Sequence, residues 1–255
     1  MGKQLEKALL PEGYECYVFD LYGTLVDIRT EEERDLVWEK LALFYGYYGA
    51  RYEPSELRER YGALVAKREK EQKSALESEA KYAHEASPEI EITDVFLALF
   101  EEKGVDADRV LAVHAGQFFR ILATDYVRTY PGTSEMLAHL RKQGKRIYLL
   151  SNAQRIFTEY EMHTLGIAEY FDDILISSDY QTKKPDQRFF EILIQRHMLC
   201  PEETLFVGND SHTDIAGARR AGMHTFYVRS NISPEGDSAG DADYFVQNFA
   251  AWEYC

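Results

Sequence analysis

Residues 17–27 read Tyr-Val-Phe-Asp-Leu-Tyr-Gly-Thr-Leu-Val-Asp. A short apolar run carries Asp20 to its end, and Gly23-Thr24 then turns the backbone. A carboxylate at the rim of a buried strand sits where α/β folds keep their active sites. There it can act as a nucleophile, forming an acyl-type intermediate that water later hydrolyses. Three later stretches supply groups that could work with it. The 147–152 stretch is an apolar run ending in Ser151 and Asn152, small hydrogen-bonding residues that suit oxyanion binding and equally suit a plain turn. Lys183-Lys-Pro-Asp186 precedes a helical pattern, with Pro185 placed to start the helix and Lys184 to project a cation. Residues 204–214 read Thr-Leu-Phe-Val-Gly-Asn-Asp-Ser-His-Thr-Asp. This strand delivers Asp210 to its end, and Asp214 follows as the next helix begins, where capping alone explains it.

The elements that must position these groups alternate in type. Strand-like runs fall at 15–20, 146–151, 173–177, 204–207 and 224–228, with helical patterns at 154–166, 186–198 and 213–221 between the last four. Strands spaced by helices predict parallel βαβ units in a doubly wound sheet. The interval 28–126 shows no strand pattern and reads as helices over 31–50, 54–83, 92–103 and 107–125, with Leu36, Leu43, Leu57, Leu64, Phe96 and Phe100 near helical spacing. Its charged run, residues 67–79, predicts a solvated helix face. Ala86-Ser87-Pro88 and residues 128–132 read as breaks. The expected organisation is α/β: a Rossmann-like core of residues 1–27 and 127–255, interrupted by a helical domain of residues 28–126.

Composition narrows the chemistry. The chain has 255 residues, 44 acidic against 29 basic, and a net charge of −15. That argues against nucleic acid as a partner, because phosphate backbones are bound through a basic footprint. An anionic substrate would therefore need a local cation. No apolar run is long enough for a membrane helix, and Met-Gly-Lys-Gln-Leu-Glu opens no signal sequence, so no membrane association is expected. Cys16, Cys200 and Cys255 form no CxxC pair, which points to a reducing, cytoplasmic setting without disulfides or zinc.

Taken together, the four stretches resemble the haloacid dehalogenase-like (HAD) superfamily, in order and spacing, over about residues 15–228. The resemblance implies a Rossmann-like core with a mobile helical cap inserted after the first motif. It also implies roles: Asp20 as nucleophile, Ser151, Asn152 and Lys184 holding the transferring group, Asp210 and the Tyr22 backbone carbonyl joining Asp20 around Mg²⁺, and Asp214 supporting the site. The substrate class it implies is a small phosphorylated metabolite.

One position departs from the phosphatase pattern. Most family phosphatases carry a second Asp two residues after the nucleophile as general acid and base, and this chain carries Tyr22. Such a Tyr is characteristic of the 2-haloacid dehalogenase branch, which releases halide and uses no metal. A phenol of pKa about 10 is a poor general base at neutral pH. Against that stand Asp20, Asp210 and Asp214, which repel one another and any anion unless a cation joins them. The dehalogenase branch has no acid at the Asp210 stretch, and its early cap arginine has only Arg29 and Arg34 as candidates here. The sequence therefore favours Mg²⁺-dependent hydrolysis of a phosphate monoester, with metal-independent dehalogenation as the alternative and a catalytically weak binding protein as the third reading. His212 is expected to face solvent, Cys16 and Trp38 to be packed, and Tyr45-Gly-Tyr-Tyr-Gly to line the cap or end a helix.

Overall fold

The computed structural model describes residues 2–78 and 87–254. In chain order the strands are β1 (Lys3–Gln4), β2 (Ala8–Leu9), β3 (Cys16–Phe19), β4 (Val26–Thr30), β5 (Thr124–Thr129), β6 (Arg146–Ser151), β7 (Asp173–Ile176), β8 (Thr204–Gly208), β9 (His224–Val228), β10 (Tyr244–Val246) and β11 (Trp252–Glu253). Helices α1 (Asp35–Tyr47), α2 (Pro54–Glu77), α3 (Thr93–Glu101) and α4 (Arg109–Ala123) lie between β4 and β5. They are followed by α5 (Thr133–Lys142), α6 (Arg155–Thr164), α7 (Ser177–Tyr180), α8 (Gln187–His197) and α9 (Ala216–Arg220).

Seven strands form one sheet in the order β1-β10-β9-β8-β3-β6-β7, every pairing parallel. The central strands β3 and β8 are buried throughout, as continuous apolar runs demand when both sheet faces are covered. Alternation assigns the faces. Tyr17, Phe19, Ile147, Leu149, Leu205 and Val207 pack with Met136, Leu137 and Leu140 of α5 and Met162 of α6. Cys16, Val18, Tyr148, Leu150 and Phe206 face the other way, onto Phe189, Phe190 and Leu193 of α8 and Ala218 of α9. The fold is a doubly wound α/β sandwich, as expected from the sequence.

The four inserted helices bury a second, aromatic-rich cluster that includes Trp38, Tyr45, Leu57, Phe96, Phe100 and Phe119, with Phe157 of α6 joining it. Tyr45 is buried at the end of α1, while Tyr47 and Tyr48 are exposed. The expected helix over 54–83 ends at Glu77, and its stretch beyond 78 lies outside the described residues, as does Ala86 of the expected break. One expectation needs correction. The 28–126 interval is not free of strands, because its two ends pair as the antiparallel ribbon β4–β5. The buried Asp27 ties the ribbon together, accepting from Arg128 Nε at 2.9 Å and Nη2 at 2.7 Å and from Asn231 Nδ2 at 2.9 Å. A five- or six-residue ribbon with one partly exposed strand carries too little alternation to be read from sequence.

The sequence pattern also passed over α5, the edge strand β1 with its neighbour β10, and the small parallel pair β2–β11. That pair brings Trp252 onto the sheet face against Phe19, Phe226 and Phe249, where its indole N–H donates to the Thr24 carbonyl at 3.0 Å. The C-terminal segment thus packs on the turn that follows Asp20. No described helix is long and apolar enough to cross a membrane. Because Trp252 is buried among aromatic rings, Trp252→Ala is expected to destabilise the chain by about 3–5 kcal/mol in denaturant unfolding, and Trp252→Phe, which loses mainly the hydrogen bond, by less. Equal losses for the two variants would contradict this packing role.

Candidate active site

At the end of β3 the Asp20 N–H donates to the Val207 carbonyl at 2.9 Å, extending the ladder with β8 to the carboxylate-bearing residue. The chain then folds tightly: the Leu21 carbonyl accepts from Thr24, Leu25 and Val26, and Gly23 N–H donates to Val26 at 2.8 Å. Among the described residues no backbone N–H reaches the Tyr22 carbonyl. Gly23 sits at φ 88°, and a Cβ there would lie 2.2 Å from Asn209 Nδ2, so both the turn and the close approach of the β8 loop require glycine.

Lys184 is the centre of the site. Its ammonium donates to Asp20 Oδ1 at 2.7 Å and lies 2.8 Å from Asp214 Oδ1, the second contact an ion pair off the hydrogen-bonding direction. Lys184, Asp20 and Asp214 are 2 %, 7 % and 1 % exposed, so the trio is sealed from solvent. Burial opposes the ammonium charge, yet the two carboxylates outweigh it and hold the lysine pKa above its usual value. Burial pushes Asp214 up to about 7, with Lys184 opposing that rise and Asp20 adding to it. Asn152 clamps the Lys184 backbone: its Oδ1 accepts the Lys184 N–H at 2.8 Å and its Nδ2 donates to the Lys184 carbonyl at 2.9 Å. Pro185 lies outside α8, which Asp186 caps by accepting the Arg188 N–H.

The β8 loop divides its acids by role. Asp214 does not cap forward; its Oδ2 turns back to accept the N–H groups of Asn209 at 3.0 Å and Asp210 at 3.1 Å. That return is possible because Gly208 has no Cβ, which would lie 2.4 Å from Asp214 Oδ2. Capping falls to Asp210, whose Oδ1 accepts from His212 and Thr213, each at 2.8 Å, so its second oxygen is not used by the cap. His212 itself is exposed. Ser151 ends β6 beside β3 with a buried hydroxyl that has no hydrogen-bond partner among the described residues. A buried hydroxyl without a partner is uncommon in a folded chain and leaves a hydrogen-bond donor unused.

The Tyr22 side chain turns to α6. Its hydroxyl donates to Glu161 Oε2 at 2.6 Å and lies 3.1 Å from Thr158 Oγ1. Glu161 is in turn held by Arg120 of α4, at 2.7 Å from Nε and 3.3 Å from Nη2, and the guanidinium lies 5.7 Å from the Tyr22 ring centre. Burial and the neighbouring Glu161 carboxylate push the phenol pKa far up, with Arg120 opposing. Sequence reasoning missed Asn209, Glu161 and Arg120. Asn209, first after β8, stood inside the quoted motif; the other two announce themselves only through contacts between distant segments. Arg29 and Arg34 both pair with Asp125 on the exposed ribbon.

Residues 14–222 match the family of haloacid dehalogenase-like hydrolases. The chain is 34% identical over 107 residues to a glyceraldehyde 3-phosphate phosphatase of Methanothermobacter thermautotrophicus, covering 42% of this chain and 47% of that protein. It is 29% identical over 167 residues to a phosphoserine phosphatase of Thermus thermophilus, covering 63% and 67%. The chain thus spans about half to two thirds of the length of these curated relatives. A crystal structure of a HAD phosphatase from Thermococcus onnurineus superposes with a TM-score of 0.54 at 20% identity, covering 92% of this chain and 94% of that one, which establishes a shared fold. Because the family match runs from before the strand of Asp20 to beyond the helix that follows Asp214, this chain belongs to the haloacid dehalogenase-like hydrolases.

Proposed function

We propose that the chain hydrolyses small phosphate monoesters, with Asp20 as covalent nucleophile and Mg²⁺ as cofactor. In this reading residues 28–126 are the cap and residues 1–27 and 127–255 the catalytic core. The observation that carries it is the oxygen-donor set gathered at the ends of β3 and β8: Asp20, the Tyr22 carbonyl that no described N–H occupies, and Asp210 with one oxygen outside its cap. No cluster of three acidic, histidine or cysteine ligands exists among the described residues. Two carboxylates and a carbonyl still fit Mg²⁺, which keeps several waters and couples one or two carboxylates to a substrate phosphate. When bound there, the ion would neutralise charge on the transferring phosphoryl group. The phosphatases among the relatives support the same reaction class.

The residues of the chain divide the remaining work. Lys184 holds Asp20 Oδ1, which leaves Oδ2 to attack phosphorus and release the alcohol. The resulting aspartyl-phosphate is hydrolysed by water, returning the carboxylate and inorganic phosphate. Lys184 and the orphaned Ser151 hydroxyl offer a cation and a donor to the phosphoryl oxygens at largely buried positions, where such contacts are stronger than in water. The Tyr22 hydroxyl is committed to Glu161 and its proton is firmly held, so the phenol supplies neither an efficient acid for the leaving group nor a base for the water.

Asp20→Asn is expected to lower phosphate release by roughly 10⁶-fold, the scale of losing a covalent nucleophile, with a native circular dichroism spectrum and a lowered unfolding midpoint, since the charge that faces the buried Lys184 is lost; near-native turnover would sink the assignment. EDTA should silence the enzyme, and Asp210→Ala should weaken Mg²⁺ binding measured by calorimetry. Halide release from 2-chloropropionate in EDTA, with no phosphate release under any condition, would instead establish the dehalogenase. Tyr22→Phe should change turnover of alkyl phosphates by far less than the 10²–10⁴-fold that positioned acid–base catalysis supplies, and aryl phosphates should be the faster substrates throughout. A drop of that size confined to alkyl phosphates would identify Tyr22 as the proton donor.

A further inference from the structure

Residues 87–89, a few positions before α3, lie along the loop that carries Lys184. Pro88 pairs antiparallel with Thr182, the Lys183 N–H donates to the Ser87 carbonyl at 3.0 Å, and the Glu89 N–H donates to the Gln181 carbonyl at 3.2 Å. On the far side of the lysine, the Ser87 N–H donates to Asp186 Oδ2 at 3.0 Å. An extended segment ahead of α3 is therefore bonded to the core loop on both flanks of Lys184, through main-chain pairing before the lysine and through the Asp186 carboxylate after it.

One core residue seats this segment. Gln154, two residues beyond the Asn152 clamp, donates from Nε2 to Glu89 Oε1 at 3.1 Å and to the Ile90 carbonyl at 2.9 Å, and its Oε1 accepts the Ile92 N–H at 2.9 Å. The Ser177 hydroxyl adds a bond to Glu89 Oε2 at 2.9 Å. The Lys184 loop is thus gripped from one side by Asn152 and from the other by residues 87–92, which the 152–154 turn also anchors.

We propose that residues 87–92 form a strap that positions Lys184, with Gln154 as the positioning residue that seats the strap. The consequence is mechanical. A buried ammonium within 2.8 Å of two carboxylates tolerates little displacement of its backbone, and misplacing a catalytic group by about 1 Å can cost 10²-fold in rate. Because the strap runs directly into α3, seating that helix on the core and delivering the lysine to Asp20 become a single event. This inference rests on Lys184 being the cation of the proposed phosphatase site.

The test uses the full chain. Gln154→Met keeps the length of the side chain and removes its three hydrogen bonds, and Glu89→Ala removes the strap's own side-chain bonds should Gln154→Met fold poorly. Glu89→Gln keeps an acceptor oxygen for Gln154, and its amide N–H can donate to the Ser177 hydroxyl, which then donates to the Ala153 carbonyl, so it serves as the conservative control. In either disruptive variant, hydrogen exchange at the Lys183 and Glu89 amides should quicken about tenfold, the worth of one net hydrogen bond, while β3 and β8 amides keep their protection. Orthovanadate should bind more weakly and kcat on an aryl phosphate should fall toward roughly 10²-fold, with Mg²⁺ affinity and Tm near native. Glu89→Gln should resemble the wild type in every readout. Unchanged exchange at both amides, or quickened exchange with native vanadate affinity and kcat, would overturn the strap. A wild-type chain without phosphatase activity would overturn the reaction assignment instead, and the exchange and vanadate measurements would still decide whether the strap holds the lysine.

Discussion

A lysine ammonium sealed from water is tolerable only if carboxylates and hydrogen bonds replace its hydration, since breaking a buried pair by removing one partner costs about 3–5 kcal/mol. Lys184 meets that condition with two carboxylates, Asp20 and Asp214, which arrive from strands on different parts of the chain. The three groups are mutually dependent. Without the ammonium, two buried carboxylates would face each other; without either acid, the charge on the lysine would be only half matched. The arrangement joins the loops after β3, β7 and β8 into one unit at the carboxyl ends of a parallel sheet.

Backbone geometry makes that unit possible. Gly23 lets the turn after Asp20 meet the Asn209 side chain, and Gly208 lets the Asp214 carboxylate fold back beneath its own loop. With Asp214 occupied by Lys184 and the Asn209 and Asp210 N–H groups, the forward cap passes to Asp210. Two aspartates four residues apart therefore do different physical work: one is buried in an ion pair, the other is half-exposed with an oxygen to spare. The same economy governs the inserted helices. They have their own aromatic core, which Phe157 of α6 joins, and they also meet the rest of the chain through polar contacts such as Arg120 with Glu161 and the main-chain pairing beside Lys184.

Tyr22 illustrates how one side chain is redefined by its surroundings. In the sequence it stands where an acid–base carboxylate is usual, and it reads as a missing function. In the folded chain its phenol completes a chain of contacts from Thr158 through Glu161 to Arg120, spanning the first turn, α6 and α4. Its hydroxyl anchors the turn whose carbonyl faces the proposed metal site, a positive structural role that no inspection of residues 17–27 alone could assign.

The sequence by itself determined the doubly wound core, because strands buried on both faces must be continuous apolar runs and helices between them must carry apolar stripes. It also placed Asp20, Ser151 and Asp210 at or just beyond strand ends, Lys184 ahead of a helix and Asp214 where the next helix begins, since polar residues that close apolar runs mark such boundaries. Only the tertiary structure decided what each residue touches. Asn152 grips the Lys184 backbone, Asp210 takes the capping role expected of Asp214, and β4–β5, β10 and β11 form through pairing with partners far along the chain. Glu161, Arg120 and Gln154 carry no local signature at all. Their partners are 41 to 139 residues away by sequence, and contacts of that range follow from the packing of whole elements, which no local pattern encodes.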